Sequence, residues 1–378
     1  MGKNLNYNKD SVKHYVRYHG WKESYKKIKN HVEREIEKDR RTERCKYLTF
    51  CAIQAIDVFM LEMENYIYRD EETNRLTNVF FCENEEESFS LINKMLGSEG
   101  QGFYGDFKDI VLQKLDEPIE ESDDPFDEPS SEVGREQLRL IEVKKNLLKV
   151  FPFDVINLDF YGNFFPATQG RFSESCQTYN EVLKLQKVEN GHLCKRFLMF
   201  LTVYTPVLED QINDNALKQL ALTLNQNMGY GKFRDAFKEK FNLDNPNDLE
   251  LYMIFVLGFT KQIIFKESYV LGWQPNLKEI YCYDRHNEGT DTPYKISTFV
   301  VEFKRNADLE KLDFSGAIPD IVEDDYLEQL NNIIMNKPHN VPVEDEIPET
   351  IKKDLADIVE FRNKFLKNIG IFDEENFT

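Results

Sequence analysis

Three short apolar runs of this chain are each followed by a carboxylate. Glu83 follows the letters VFFC, Asp106 lies within FYGDF, and Asp159 follows VINL. At the carboxyl end of a buried parallel strand, such a side chain lies in the crevice where open α/β sheets bind ligands. There it can accept hydrogen bonds from hydroxyl or amine groups, or bind a divalent metal ion. We expect Tyr161 and Asn163, just after Asp159, to lie at the same edge.

The elements that must position these acids alternate between strand and helix. Such alternation predicts an α/β fold with a doubly wound, mostly parallel sheet. Two long β-rich runs follow, separated by a polar loop with Gly289 and Pro293, and they predict an antiparallel pair at the end of the sheet. The predicted strands lie near 47–52, 76–84, 103–107, 153–158, 196–204, 270–283 and 294–304, and the helices near 53–67, 85–96, 133–149, 174–190, 214–226 and 249–265.

Helical additions flank the predicted domain, which spans residues 45–305. Residues 1–44 form a helical extension, because apolar residues recur at spacings of three and four over 10–44. Residues 116–132 (DEPIEESDDPFDEPSSE) have too little apolar content to fold alone and predict an exposed acidic insertion. Residues 306–378 form an acidic, partly helical extension with a helix near 349–368.

Composition excludes several classes of protein. The formal net charge of −20 disfavours nucleic acid as a partner, because affinity for nucleic acid comes largely from cations that contact phosphate. The histidines and the six cysteines lack paired metal spacing, so no resident metal is predicted. A GxSxG nucleophile motif is absent. With no secretory signal and no apolar stretch long enough to span a bilayer, the sequence predicts a reduced, cytoplasmic protein without membrane contact.

The segment around Asp159 resembles a known family. Residues 153–162 read FDVINLDFYG, which is similar to the strand-four motif FDVIDLDPYG of tRNA guanine-N2 methyltransferases and, more loosely, to that of three-Cys-motif partner proteins. Two positions differ, because Asn157 replaces an Asp and Phe160 replaces a Pro. The resemblance covers roughly residues 45–205. It implies a methyltransferase-like fold, whose sheet is closed by a reversed hairpin, and S-adenosylmethionine as the cofactor.

The resemblance also implies a role for each acid. Glu83 matches the acid that binds the ribose hydroxyls of the cofactor, and Asp106 matches the acid near the adenine amine. Asp159 matches the acid that faces the amine being methylated, with Tyr161 and Asn163 beside it. Such an enzyme mainly orients its acceptor nitrogen, which needs an exposed lone pair in line with the methyl group.

The loop after the first strand departs from this family. Those enzymes have a glycine-rich loop there, whereas this chain has no glycine between Gly20 and Gly97. The residues at this point are AIQAID, with Ala52 and Gln54 in the cofactor-binding positions. Cβ atoms crowd a ligand against the backbone and disfavour positive φ. Either the cofactor binds in an altered way, or the site has lost it.

Two further functions therefore stand beside amine methylation. One is a catalytically degenerate methyltransferase-fold subunit that binds or scaffolds partners in a larger complex. The other is a metal-dependent nuclease or hydrolase in which the three acids hold a divalent ion.

Each acid also has a structural alternative. Asp159 can cap a turn or pair with a lysine, Glu83 can favour the dipole of the following helix, and Asp106 can belong to a surface turn. Phe160 and Tyr161 can be core or rim aromatics.

Overall fold

The computed structural model describes most of the predicted domain and its flanks. The described residues are 11–51, 54–97, 101–115, 132–160, 164, 173–188, 193–205, 235, 239, 248–285, 294–309, 327–333, 335 and 339–371. No helix within these ranges is both long and apolar enough to cross a membrane. The predicted helix at 214–226 and nearly all of the acidic insertion lie outside the described residues.

A single sheet of eight strands organises the described residues, in the order β3-β2-β1-β4-β5-β7-β6-β8. Strands β1 to β5 are parallel, whereas β7 is antiparallel to both β5 and β6, so the predicted terminal antiparallel pair is confirmed. Strand β8 is short and was not predicted. The strands are β1 Tyr47–Thr49, β2 Val79–Glu83, β3 Gly102–Tyr104, β4 Val155–Phe160, β5 Arg196–Thr205, β6 Trp273–Arg285, β7 Tyr294–Arg305 and β8 His339–Asn340.

Helices cover both faces of this sheet, as a doubly wound fold requires. On one face lie α1 Ser11–Val16, α2 Lys22–Glu37, α3 Ile56–Met63, α4 Glu86–Leu96 and the helix Glu349–Asn368. On the other face lie α5 Phe107–Leu112, α6 Glu132–Val150, α7 Glu174–Leu185 and the helix Asp248–Phe259. Some helices adjoin segments of other helical types. These are the π-helical segments Arg17–Trp21 and Thr260–Glu267, and the 3₁₀ turn Glu344–Glu346 just before the helix Glu349–Asn368. We refer to the first face as the α1 face.

Strand β4 is buried on both sides because it lies in the middle of the sheet. Val155 packs into the cluster on the α1 face, and Ile156 and Leu158 pack into the opposite cluster. The strand order reverses between β1 and β4, which makes this junction the topological switch point of the sheet.

Two sequence predictions need correction. The single helix expected over 10–44 ends at Glu37 and contains the π-helical segment Arg17–Trp21. The third strand ends at Tyr104 rather than near residue 107, because Asp106 caps α5 by accepting a hydrogen bond from the Lys108 N–H at 2.8 Å. Gly105, between them, has a φ of 137°, which turns the chain out of the sheet.

The N-terminal helical segment runs along the α1 face from one end of β4 to the other. At the amino end, Arg41 donates to both oxygens of Asp154 at 2.6 and 2.7 Å. In the middle, the Trp21 ring stacks on Phe200 with ring centroids 4.5 Å apart. At the carboxyl end, Lys13 pairs with Asp159. This segment therefore fixes the central strand at both ends.

We predict that Arg41→Ala destabilises the fold by about 3–5 kcal/mol, because it leaves the carboxylate of Asp154 buried without its counter-charge. The side chains of this pair are only 8% and 5% exposed. The matched control is Arg40→Ala, since Arg40 is 62% exposed and its pair with Glu35 spans 3.6 Å. We expect that variant to lie within about 0.5 kcal/mol of the wild type. Urea unfolding measures both, and equal effects of the two variants would refute the prediction.

Candidate ligand site at the carboxyl edge of the sheet

Glu83 and Asp159 lie on the same face of the sheet, on either side of β1. Side chains alternate along a strand, so Glu83 shares the side of Phe81, and Asp159 shares the side of Val155. Phe81 and Val155 belong to the same cluster on the α1 face. Strands β2 and β4 both pair with β1, so the two acids are separated by two strand spacings, roughly 10 Å.

The two acids differ in what already binds them. Glu83 is partly exposed, and its Oε1 accepts a hydrogen bond from the N–H of Glu85 at 2.9 Å, which shapes the entry into α4. Asp159 is nearly buried, and its Oδ2 lies 2.6 Å from Nζ of Lys13. The lysine pairing anticipated as a structural alternative for Asp159 is therefore present.

Asp106 does not lie with Glu83 and Asp159 on the α1 face of the sheet. It begins α5, whose Phe107 and Ile110 pack into the cluster on the opposite face. Its charge helps to raise the pKa of Cys82, which burial raises first, and Cys82 packs in that same opposite cluster. In the described structure Asp106 acts as a helix cap at the rim of the edge.

A buried polar network lies beneath the edge at the switch point. Asp57, at the start of α3, accepts hydrogen bonds at 2.7 Å from the hydroxyls of Tyr47 and Thr49 in β1. The amide of Asn157 in β4 donates to the Thr49 hydroxyl at 3.2 Å. Oδ1 of Asp57 and Oδ1 of Asn157 are buried and have no hydrogen-bond partner within the described part of the chain. Two acceptors are therefore left for a ligand or water at this point.

The loop after β1 contains a residue in the left-handed conformation that is not a glycine. Ala55 has φ 47° and ψ 32°, a conformation that costs an L-residue with a Cβ roughly 1–2 kcal/mol. Beside it, the carbonyl of Gln54 accepts a hydrogen bond from Nη1 of Arg362 at 3.4 Å. Arg362 belongs to the helix Glu349–Asn368, and burial lowers its pKa to about 10. Of the predicted site residues, Ala52, Tyr161 and Asn163 lie outside the described residues.

Sequence reasoning missed Arg17, which is the most unusual side chain of this edge. It is 7% exposed, and its Nε and Nη1 have no hydrogen-bond partner among the residues that the structure describes. The guanidinium lies 5.7 Å from the centre of the Trp21 ring. A signal was present, because Arg17 stands four residues before Trp21 and so extends the buried helical stripe of Trp21, Tyr25 and Ile28.

Cys51 shows that these groups share one neighbourhood. This thiol lies just after β1 and is 4% exposed. Burial raises its pKa well above the ordinary value, and the negative charges of Asp57 and Glu83 raise it further, whereas Arg17 lowers it. Two carboxylates and one buried guanidinium therefore lie near enough to the end of β1 to shift the pKa of this thiol.

Two concave surfaces in the described structure lie at the opposite, amino edge of the sheet. One is lined by residues that include Lys29, Tyr68 and Val79, and the other by residues that include Lys46 and Thr77. Open α/β sheets bind ligands beyond the carboxyl ends of their strands, at the switch point. We therefore assign the candidate site to the carboxyl edge, where the unpaired buried polar atoms lie.

Fold and site together define a doubly wound α/β protein with a buried, partly unsatisfied polar network at its switch point. A family model described as PP_RS20740-like matches residues 128–308, which include β4 to β7. No curated protein and no solved structure matches the chain. Across the described ranges, no three His, Cys, Asp or Glu side chains come together as metal ligands. Glu83, Asp106 and Asp159 thus do not form the ion site of the metal-dependent alternative.

We predict that Ala55→Gly is neutral or stabilising, because relief of the left-handed φ offsets the loss of one buried methyl group, worth about 0.8 kcal/mol. The control is Ala356→Gly at an exposed position of the helix Glu349–Asn368, which should cost about 1 kcal/mol. Chemical denaturation compares the two variants. A larger loss for Ala55→Gly than for Ala356→Gly would contradict the strained turn.

We predict that His14 makes the fold sensitive to mild acid. Burial lowers its pKa and Arg17 lowers it further, although the Asp354 carboxylate, 3.0 Å from Nε2, opposes this shift. The unfolded imidazole takes up a proton below about pH 6.5 while the folded one stays neutral, so protons favour unfolding there. This contribution is intact above about pH 6.5 and is lost as the pH falls towards the lowered folded pKa.

The measurement is the free energy of unfolding at about pH 7.5 and about pH 5.5. We expect a loss at the lower pH in the wild type and a smaller loss in His14→Gln. An unchanged pH dependence in that variant would show that other groups cause it.

Proposed function

We propose that the carboxyl edge binds S-adenosylmethionine or a nucleoside of the same kind, and that the protein methylates an amine. The observation that carries this proposal is the unpaired buried set around the end of β1. Arg17 offers donors for a carboxylate, and Asp57 and Asn157 offer acceptors for an ammonium group. An α-amino-acid group carries both charges on one carbon, so the methionine part of the cofactor matches this set.

The remaining acids fit the other parts of such a ligand. Glu83 lies on the same face of the sheet as Asp159, and its partly exposed carboxylate would accept hydrogen bonds from the vicinal hydroxyls of the ribose. Asp159 lies across β1 and would hold the acceptor amine. Tyr161 and Asn163 would complete the acceptor side. Asp106, as a helix cap at the rim, would lie near the adenine.

The chemistry of the proposed transfer is a single displacement. An acceptor that binds as an ammonium ion would first lose a proton to solvent, and the lone pair thus freed on nitrogen would attack the methyl carbon of the bound sulfonium. The C–S bond would break with its electron pair remaining on sulfur. The nitrogen would then lose a proton to solvent. The protein would contribute mainly orientation, because binding replaces the entropy cost of bringing the two reactants together.

A second candidate is a degenerate subunit that binds or scaffolds a partner protein. Two observations favour it: Ala55 stands in the turn where the resembling enzymes have glycine, and Lys13 already occupies the carboxylate of Asp159. For either candidate, the net charge of −20 disfavours a nucleic-acid partner. We also propose a cytoplasmic location, since the six cysteines are free and buried, as a reducing compartment would leave them.

We predict that S-adenosylhomocysteine binds the protein and that Arg17→Met weakens it by about tenfold or more, through loss of a charge-assisted contact to the carboxylate. 5′-Methylthioadenosine lacks the amino-acid group, so its affinity should not change in Arg17→Met. Glu83→Ala should weaken both ligands, because both contain the ribose. Isothermal titration calorimetry with the wild type, Arg17→Met and Glu83→Ala measures the Kd of each ligand.

An internal control comes from the ligand-free protein. Replacing a buried unpaired guanidinium by an apolar side chain of similar size is often neutral or stabilising, so Arg17→Met should fold at least as well as the wild type. Loss of binding cannot then be assigned to unfolding. If neither ligand binds the wild type while a partner protein is retained in pull-downs, the result supports the degenerate scaffolding subunit and rejects the methyltransferase.

A further inference from the structure

We infer that the Asp159 carboxylate is a subsite for a primary alkylammonium group, and that Lys13 fills it as an internal occupant. The inference deepens the proposed function, since it names the acceptor class as an alkyl amine such as a lysine side chain. The carrying observation is that an amine nitrogen already lies 2.6 Å from Oδ2 of the acid proposed to face the acceptor.

The surroundings of Asp159 leave the carboxylate available for this ion. Asp159 pairs in register with Thr202 of β5, and the Thr202 hydroxyl is bonded to that of Thr298 at 3.0 Å. Asn157, two residues earlier on the same face, is bonded to Thr49. These described polar neighbours of Asp159 on β4 and β5 are therefore bonded to other groups, and the charge partner that the described structure gives its carboxylate is the ammonium group of Lys13.

The helix that delivers Lys13 is held by other contacts. His14 bonds to Asp354, and the Ser11 hydroxyl lies 3.4 Å from a carboxylate oxygen of Glu344. Val16 and Trp21 are buried against the sheet face. These contacts hold α1 on the sheet in addition to the Lys13–Asp159 ion pair, so α1 can stay docked when another amine takes the place of Lys13.

Charge and burial favour an alkylammonium over an aromatic amine as the ligand of the Asp159 carboxylate. The Lys13 and Asp159 side chains are 21% and 10% exposed, so the pair is largely removed from water. A partly buried carboxylate gains more from a full positive charge than from a neutral amino group on a ring. The net charge of −20 also attracts cationic polypeptides and repels nucleic acid.

The test is chemical rescue of Lys13→Ala by n-butylammonium chloride, with sodium chloride of equal concentration as the reference. We expect n-butylammonium at about ten times its Kd to raise the Tm of Lys13→Ala by about 1–2 °C. The wild type should respond much less, since n-butylammonium must displace Lys13 there. Adding Asp159→Asn to Lys13→Ala should abolish the rescue.

A matched control is Lys22→Ala, which breaks the ion pair between Lys22 and Glu64 in the same helical segment. That variant should gain nothing from n-butylammonium. Equal stabilisation of both alanine variants, or of neither, would overturn the subsite.

The rescue experiment requires no cofactor, so its outcome is independent of the test of the proposed function. Rescue without S-adenosylhomocysteine binding would keep the alkylammonium subsite and remove methyl transfer. Binding of S-adenosylhomocysteine without rescue would keep the cofactor and overturn this inference. A peptide with one lysine that binds Lys13→Ala more tightly than n-butylammonium assigns the amine to a polypeptide, whereas equal affinity assigns it to a free alkyl amine.

Discussion

The structure depends on the way in which strand β4 is fixed at its two ends by one N-terminal helical segment. At the amino end the ion pair of Asp154 and Arg41 is almost fully buried, and at the carboxyl end Asp159 meets Lys13. Both acids belong to the ten-letter run FDVINLDFYG that contains this strand in the sequence. Since β4 forms one side of the switch point, whatever holds β4 in place also positions the ligand edge.

This arrangement explains one residue that departs from the resembling family. Asn157 stands where an aspartate is usual, and its amide donates to Thr49, which itself donates to Asp57. An aspartate at 157 would place a second carboxylate on a hydroxyl whose proton is already given to Asp57. Burying two carboxylates that cannot both accept the one hydroxyl proton costs free energy. The Asn157 amide instead donates a hydrogen bond that the Thr49 hydroxyl oxygen can accept. The change is therefore matched to the network beneath the edge.

The regular elements were largely predictable because they follow from local patterns. The alternation of apolar strands and amphipathic helices gave the parallel sheet, the two long β-rich runs gave β6 and β7, and Gly97 ends α4 with a φ of 66° as a C-terminal glycine should. Asp106 was harder, because a strand-end acid and a helix cap look alike in sequence. The backbone turn at Gly105 decides between them.

By itself, the sequence determined the α/β class, the antiparallel pair and the acids at the carboxyl ends of β2 and β4, since these depend on residue type and periodicity. Only the tertiary structure decided that Lys13 lies on Asp159, that Nε and Nη1 of Arg17 are buried without a hydrogen-bond partner among the described residues, and that Asp106 caps α5. Lys13 and Asp159 are 146 residues apart, and no local pattern encodes such a contact. It arises because burial of one helix face against the sheet carries its charged residues to the edge.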